Sequence, residues 1–69
     1  MPLSGKQTVA ILAQFGFELV RQRGSHAVLA KQTDGQKRVA VVPMHKELKK
    51  GTLRSIARQA DIDKKELGV

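Results

Sequence analysis

Sixty-nine residues without a cysteine leave room for one small domain, expected to span residues 1–69, and exclude a disulfide framework or a thiolate metal cage. Thirteen lysines and arginines against six aspartates and glutamates give a net charge of +7, a field that draws polyanions, nucleic acid first among them. An anionic membrane surface or an acidic partner protein fits the same sign, and net charge also serves solubility alone.

Several classes fall away at once. Phe15 and Phe17 are the only aromatic residues, so the chain lacks the platform on which RRM and OB modules stack single-stranded bases. No apolar run approaches the roughly 20 residues that a membrane span requires. Met1-Pro2-Leu3-Ser4-Gly5-Lys6 lacks the apolar stretch of a signal peptide. The expectation is a soluble, cytoplasmic protein with no membrane partner.

In chain order, Ser4 with Gln7 three residues on forms a capping-box pattern. A helix then runs to Phe15, with Thr8, Ile11, Leu12 and Phe15 on one face. Gly16 supplies a helix stop that lets Phe17 fold back on Leu12. From Phe17 to Arg23 the period becomes two, with Phe17 and Leu19 on one face and Glu18, Val20 and Gln22 on the other. Gly24-Ser25 interrupts the run, and His26 to Lys31 reads as a second strand. Thr33-Asp34-Gly35-Gln36 is a hairpin signal, since Asp-Gly suits a tight turn. Lys37 to Val42 is a third strand ended by Pro43, and apolar residues fall on both faces of the strands.

A polar connection, Met44 to Lys50, carries His45. From about Gly51 the helical period returns, with Leu53, Ile56, Ala57 and Ala60 on one face and Arg54 and Arg58 opposite. A last short turn starts at Asp63, with Glu66 as a capping partner. The fold class is therefore α+β, in the order α-β-β-β-α. The economical packing puts two helices on one face of a three-stranded antiparallel sheet and leaves the other face open. This is a dsRBD-like domain.

The chemistry available is narrow. With no cysteine and no tyrosine, the side chains of the type that titrates near neutrality are His26 and His45. The acids Glu18, Asp34, Glu47, Asp61, Asp63 and Glu66 are scattered, unlike the converging carboxylates of a two-metal nuclease. Two histidines lack a third obvious ligand for zinc. No metal and no other cofactor is expected. Metal-free chemistry favours RNA over DNA, because RNA carries its own nucleophile in the 2′-hydroxyl.

Arg21-Gln22-Arg23-Gly24-Ser25-His26 holds the ingredients for such a site: Arg21 and Arg23 fall on one side of a strand, Gly24 permits close backbone approach, and Ser25 offers a donor. A Gly-Ser-His stretch between strands is also commonly nothing more than a turn. His45 fits a phosphate contact or an exposed loop residue. Lys46, Lys49, Lys50, Arg54 and Arg58 form a basic run with only Glu47 among the charges interrupting it, read either as an anion site behind a helix start or as a solvated face.

These residues resemble a known family. Phe15-Gly16-Phe17, the box Arg21 to His26, Val41-Val42-Pro43-Met44-His45 and Glu47-Leu48-Lys49-Lys50-Gly51-Thr52-Leu53, followed by Ile56, resemble HicA, the toxin of type II HicA–HicB toxin–antitoxin pairs. The resemblance runs over nearly the whole chain. It implies a dsRBD-like fold and a metal-independent endoribonuclease (an mRNA interferase) in which the box histidine, here His26, is catalytic and Gly24 shapes the turn beside it. It implies messenger RNA as substrate and a HicB-like antitoxin that covers the active site. The RNA-binding set expected beside His26 is Arg21, Arg23, Gly24, Ser25, His45, Lys46, Lys49 and Lys50. A non-catalytic RNA-binding module is the alternative.

Overall fold

The computed structural model describes residues 2–69, and its elements run α1 (Gly5–Gln14), β1 (Glu18–Arg23), β2 (His26–Thr33), β3 (Gln36–Pro43), α2 (Lys50–Ala60) and a 3-10 turn (Lys64–Leu67). The expected α-β-β-β-α order holds. The capping box forms in full: Gln7 N donates to Ser4 Oγ at 3.0 Å, and Ser4 N donates to Gln7 Oε1 at 2.9 Å. Thr8 is buried among apolar groups, and its hydroxyl is satisfied by donating to Ser4 O at 2.8 Å. At the other end Phe17 N donates to Leu12 O and Gly16 N to Ala13 O. That paired stop brings Phe17 and Leu12 into the core together.

The strands lie in the order β1-β2-β3, antiparallel throughout. Each is joined to the next by two residues. Gly24 takes φ +58°, the first position of the tight turn type that calls for glycine there. At the second hairpin, Asp34 and Gly35 both take positive φ, 47° and 78°, the pattern that matches the right-handed twist of the strands.

The buried face, ambiguous from sequence, is settled by Ala27 and Leu29 of β2 and Ala40 and Val42 of β3. They pack in one cluster with Leu12, Phe17, Leu48, Leu67 and the predicted stripe Leu53, Ile56, Ala57 and Ala60. Both helices thus cover the same side of the sheet. Asp63 caps the last turn through Lys65 N at 2.9 Å, in place of the capping pair with Glu66 that the sequence predicts. Pro43 is the final residue of β3 and pairs with His26. Proline is tolerated there because β3 is an edge strand, whose outward N–H needs no partner in the ladder. No described helix is long and apolar enough to cross a membrane.

The N-terminus of α1 is pressed against the end of β3. Gly5 N donates to His45 O at 2.9 Å. A Cβ at Gly5 would lie 2.1 Å from Pro43 O and 2.7 Å from Met44 Cα, whereas one at Gly51 would meet nothing within 4 Å. Gly5→Ala is expected to destabilise the fold by about 1–3 kcal/mol through overpacking. Gly51→Ala, in a helix with room for it, is expected to stabilise by roughly 0.5–1 kcal/mol. Urea denaturation of the two variants beside the wild type checks both signs.

Candidate active site

Residues paired directly across an antiparallel ladder point to the same face, so the register assigns the open side of the sheet. Opposite the buried Ala27 and Leu29, that side carries His26, Val28 and Ala30 of β2, with Val39, Val41 and Pro43 of β3. From β1 it carries Arg21, which pairs with Val28, and Arg23, which pairs with His26. His26, Arg21 and Arg23 therefore share one exposed face at the end of the sheet. Val39 and Val41 are exposed beside them.

Strict alternation from the buried Phe17 would have put Arg21 and Arg23 on the helix side. The register breaks between Leu19 and Arg21, leaving Val20 as an extra residue in a bulge. Leu19 still faces the helix side opposite Leu29, but at the sheet edge it is 55% exposed. The bulge reconciles two demands, burial of Phe17 at one end and the Gly24-Ser25 turn at the other. A hint of it lies in two consecutive apolar residues, Leu19-Val20, that no single face accommodates.

The rest of the expected set divides in two. Met44 N donates to Ser25 O at 2.6 Å, so the Gly-Ser-His turn and the Pro43-Met44-His45 segment are tied together. His45 and Lys46, both exposed, follow directly from that bond. Gly24 has open space beside its Cα, with nothing within 4 Å, so no packing contact calls for glycine there and its positive φ does. Lys49 and Lys50 stand at the start of α2, beyond the buried Leu48, whose N–H donates to Leu3 O at 2.8 Å. Lys49 is the helix N-cap and makes no side-chain cap. The bonds that hold these two lysines run to α2 and the N-terminal segment, away from the hairpin.

Among the described residues the ion pair formed is Arg38 to Asp61, 3.4 Å and exposed, on the helix side of the sheet. No carboxylate pairs with Arg21 or Arg23 in that set, so both guanidinium groups stand unpaired beside His26. No group of three His, Cys, Asp or Glu among the described residues is placed to hold a metal ion. The surface depressions at Lys31/Arg38/Asp61, at Gly16/Glu18/Lys37 and at Pro2/Leu48/Lys50 do not include His26. The histidine stands on an open sheet face, where a long polymer reaches it more readily than a small ligand is enclosed.

Two residues escaped the sequence reading. One is Gly5, whose position at the start of a helix gave a weak sign, glycine being a poor helix former. The other is Gln59, whose Oε1 accepts the outward N–H of Val41 at 3.0 Å while its Nε2 donates to Ser55 Oγ at 3.3 Å. This side chain covers part of the free β3 edge, a common route to unwanted strand pairing.

A family model described as the HicA toxin of bacterial toxin-antitoxin matches residues 5–62. The chain belongs to the HicA toxin family. It is thus the toxin member of a toxin–antitoxin pair, and its partner is an antitoxin. No curated protein matches this HicA chain.

Deleting Val20 is expected to leave Leu19 opposite Leu29 and Gln22 opposite Ala27, since the bulged residue is the only one without a partner. Cross-strand contacts in NMR spectra of the deletion variant check this. Movement of Gln22 away from Ala27 would show that Val20 itself sets the register.

Proposed function

We propose that this HicA toxin is a metal-independent endoribonuclease that cuts messenger RNA, with His26 as its catalytic base. The supporting observation is the pairing of His26 with Arg23, which sets a proton acceptor beside an unpaired cation on an open, polymer-accessible face. His26 takes the proton from a ribose 2′-hydroxyl. The freed oxygen attacks the adjacent phosphorus, the O2′–P bond forms as the P–O5′ bond breaks, and the departing 5′-oxygen takes a proton from solvent water. Arg21 and Arg23 stabilise the charge gathering on the phosphoryl oxygens. Ser25, the amides of the Gly24 turn, His45 and Lys46 hold the flanking backbone, and Lys49 and Lys50 add charge farther along.

The antitoxin in this reading is a HicB-type protein that covers the same face, and the cytoplasm is where the toxin meets its substrate. A second reading, a non-catalytic RNA-binding module, draws on the absence of any hydrogen bond orienting the His26 ring among the described residues. A general base is normally held by such a partner. Product formation separates the two.

Incubation of labelled single-stranded RNA in excess EDTA, with wild type beside His26→Ala, is the test. Wild type is expected to cut and the variant to be slower by about 10²–10⁴-fold. The exposed position of His26 means that the variant should keep its circular dichroism and unfolding midpoint. Equal rates would rule out His26 as the base, and RNA bound but uncut by both proteins would favour the binding module.

A further inference from the structure

The outward face of α2 is electrostatically wrong for an isolated helix. Its eleven residues, Lys50–Ala60, contain no acid, and Lys50, Arg54 and Arg58 are all exposed. Spaced by four, they form a single stripe of like charges, an arrangement that destabilises a helix where alternating signs would support it. Lys49 and Lys50 also occupy the positive end of the helix dipole, where anions are favoured. Among the described residues none of the three stripe cations has a carboxylate partner. Local rules broken together on one element point to a functional demand.

The geometry suits a particular ligand. Four residues of helix rise about 6 Å, comparable with the separation of neighbouring phosphates on an extended single strand. The stripe lies on the side of the molecule opposite the candidate active site, and the Met44–Lys49 connection rounds the end of the sheet between them. The Ser25–Met44 bond leads from His26 to His45 and Lys46, and the connection then passes the buried Leu48 to Lys49, Lys50 and the helix. The absence of aromatics beyond Phe15 and Phe17 leaves phosphates, not bases, as the groups to be gripped.

We infer that the backbone of a single-stranded RNA runs from His26 along the Met44–Lys49 connection and down the Lys50–Arg54–Arg58 stripe, whose cations contact successive phosphates. The inference rests on the ribonuclease reading and extends it from a cleavage point to a substrate path. Arg54 and Arg58 then serve long substrates, and an RNA that fills only the sheet end does not reach them.

Fluorescence anisotropy with the His26→Ala protein, which leaves bound RNA intact, tests this over a range of salt. Two labelled RNAs are used, of about 4 and about 16 nucleotides. Arg54→Gln/Arg58→Gln is expected to lower the slope of log affinity against log salt by about 1.4 on the longer RNA, about 0.7 for each phosphate that is no longer neutralised. On the shorter RNA the slope should not move. Lys37→Gln/Lys65→Gln, which removes equal charge away from the path, should leave the slope on the longer RNA in place. An unmoved slope for the arginine variant, or an equal fall in the lysine variant or on the short RNA, overturns the path. Cleavage of the longer RNA by the otherwise wild-type chain is followed in parallel. Cleavage without the slope change removes the path alone, whereas the slope change without cleavage keeps an RNA path on a protein that is not a nuclease.

Discussion

The fold hangs on the contact between the first residue of α1 and the last turn of backbone after β3. Gly5 N reaches His45 O, Met44 N reaches Ser25 O, and Leu48 N reaches Leu3 O, at 2.9, 2.6 and 2.8 Å. Three segments distant in sequence are thereby fastened at one end of the sheet: the start of α1, the first hairpin turn and the connection to α2. The fit leaves no volume for a side chain at residue 5, where a Cβ would overlap Pro43 O. Interiors this close-packed transmit a displacement instead of absorbing it. The same fastening holds the His26 turn against His45 and Lys46, so the stability of the fold and the alignment of the candidate site depend on one set of bonds.

A sheet covered on one side has to manage its other side and its two edges. Here the open face keeps Val39 and Val41 in view, and free edges beside such a face invite strand addition. On β1 the bulge at Val20 interrupts the edge. On β3 Gln59 covers the N–H of Val41, and Pro43 has none to offer. These devices leave the open face available to a ligand while discouraging pairing between copies that already repel through a net charge of +7.

Much of this was legible from the residues. The capping box at Ser4, the stop at Gly16, the Asp34-Gly35 hairpin and the stripe Leu53, Ile56, Ala57 and Ala60 are local signals with short-range causes, and each appears where the pattern placed it. The order α-β-β-β-α followed from them. The side of the sheet that is buried did not follow, because Val28, Val39 and Val41 are as apolar as the residues they alternate with. Only packing against the helices decides between them. The placement of Arg21 and Arg23 beside His26 depended on a single bulged residue, which a period-two count cannot foresee. Gly5 and Gln59 act through partners about forty and eighteen positions away, respectively, at Pro43 and Val41. Contacts of that range leave little trace in local sequence.

The central claim is that an RNA's own 2′-hydroxyl is activated on the face where His26 and Arg23 pair. The direct measurement is cleavage of an RNA carrying a single 2′-deoxy substitution at a nucleotide where the unmodified strand is cut. The account predicts that cutting disappears at that bond alone and that the unmodified strand yields cyclic-phosphate ends. Continued cutting at the substituted position would mean that water or another nucleophile attacks the phosphate, contradicting the mechanism assigned to this face.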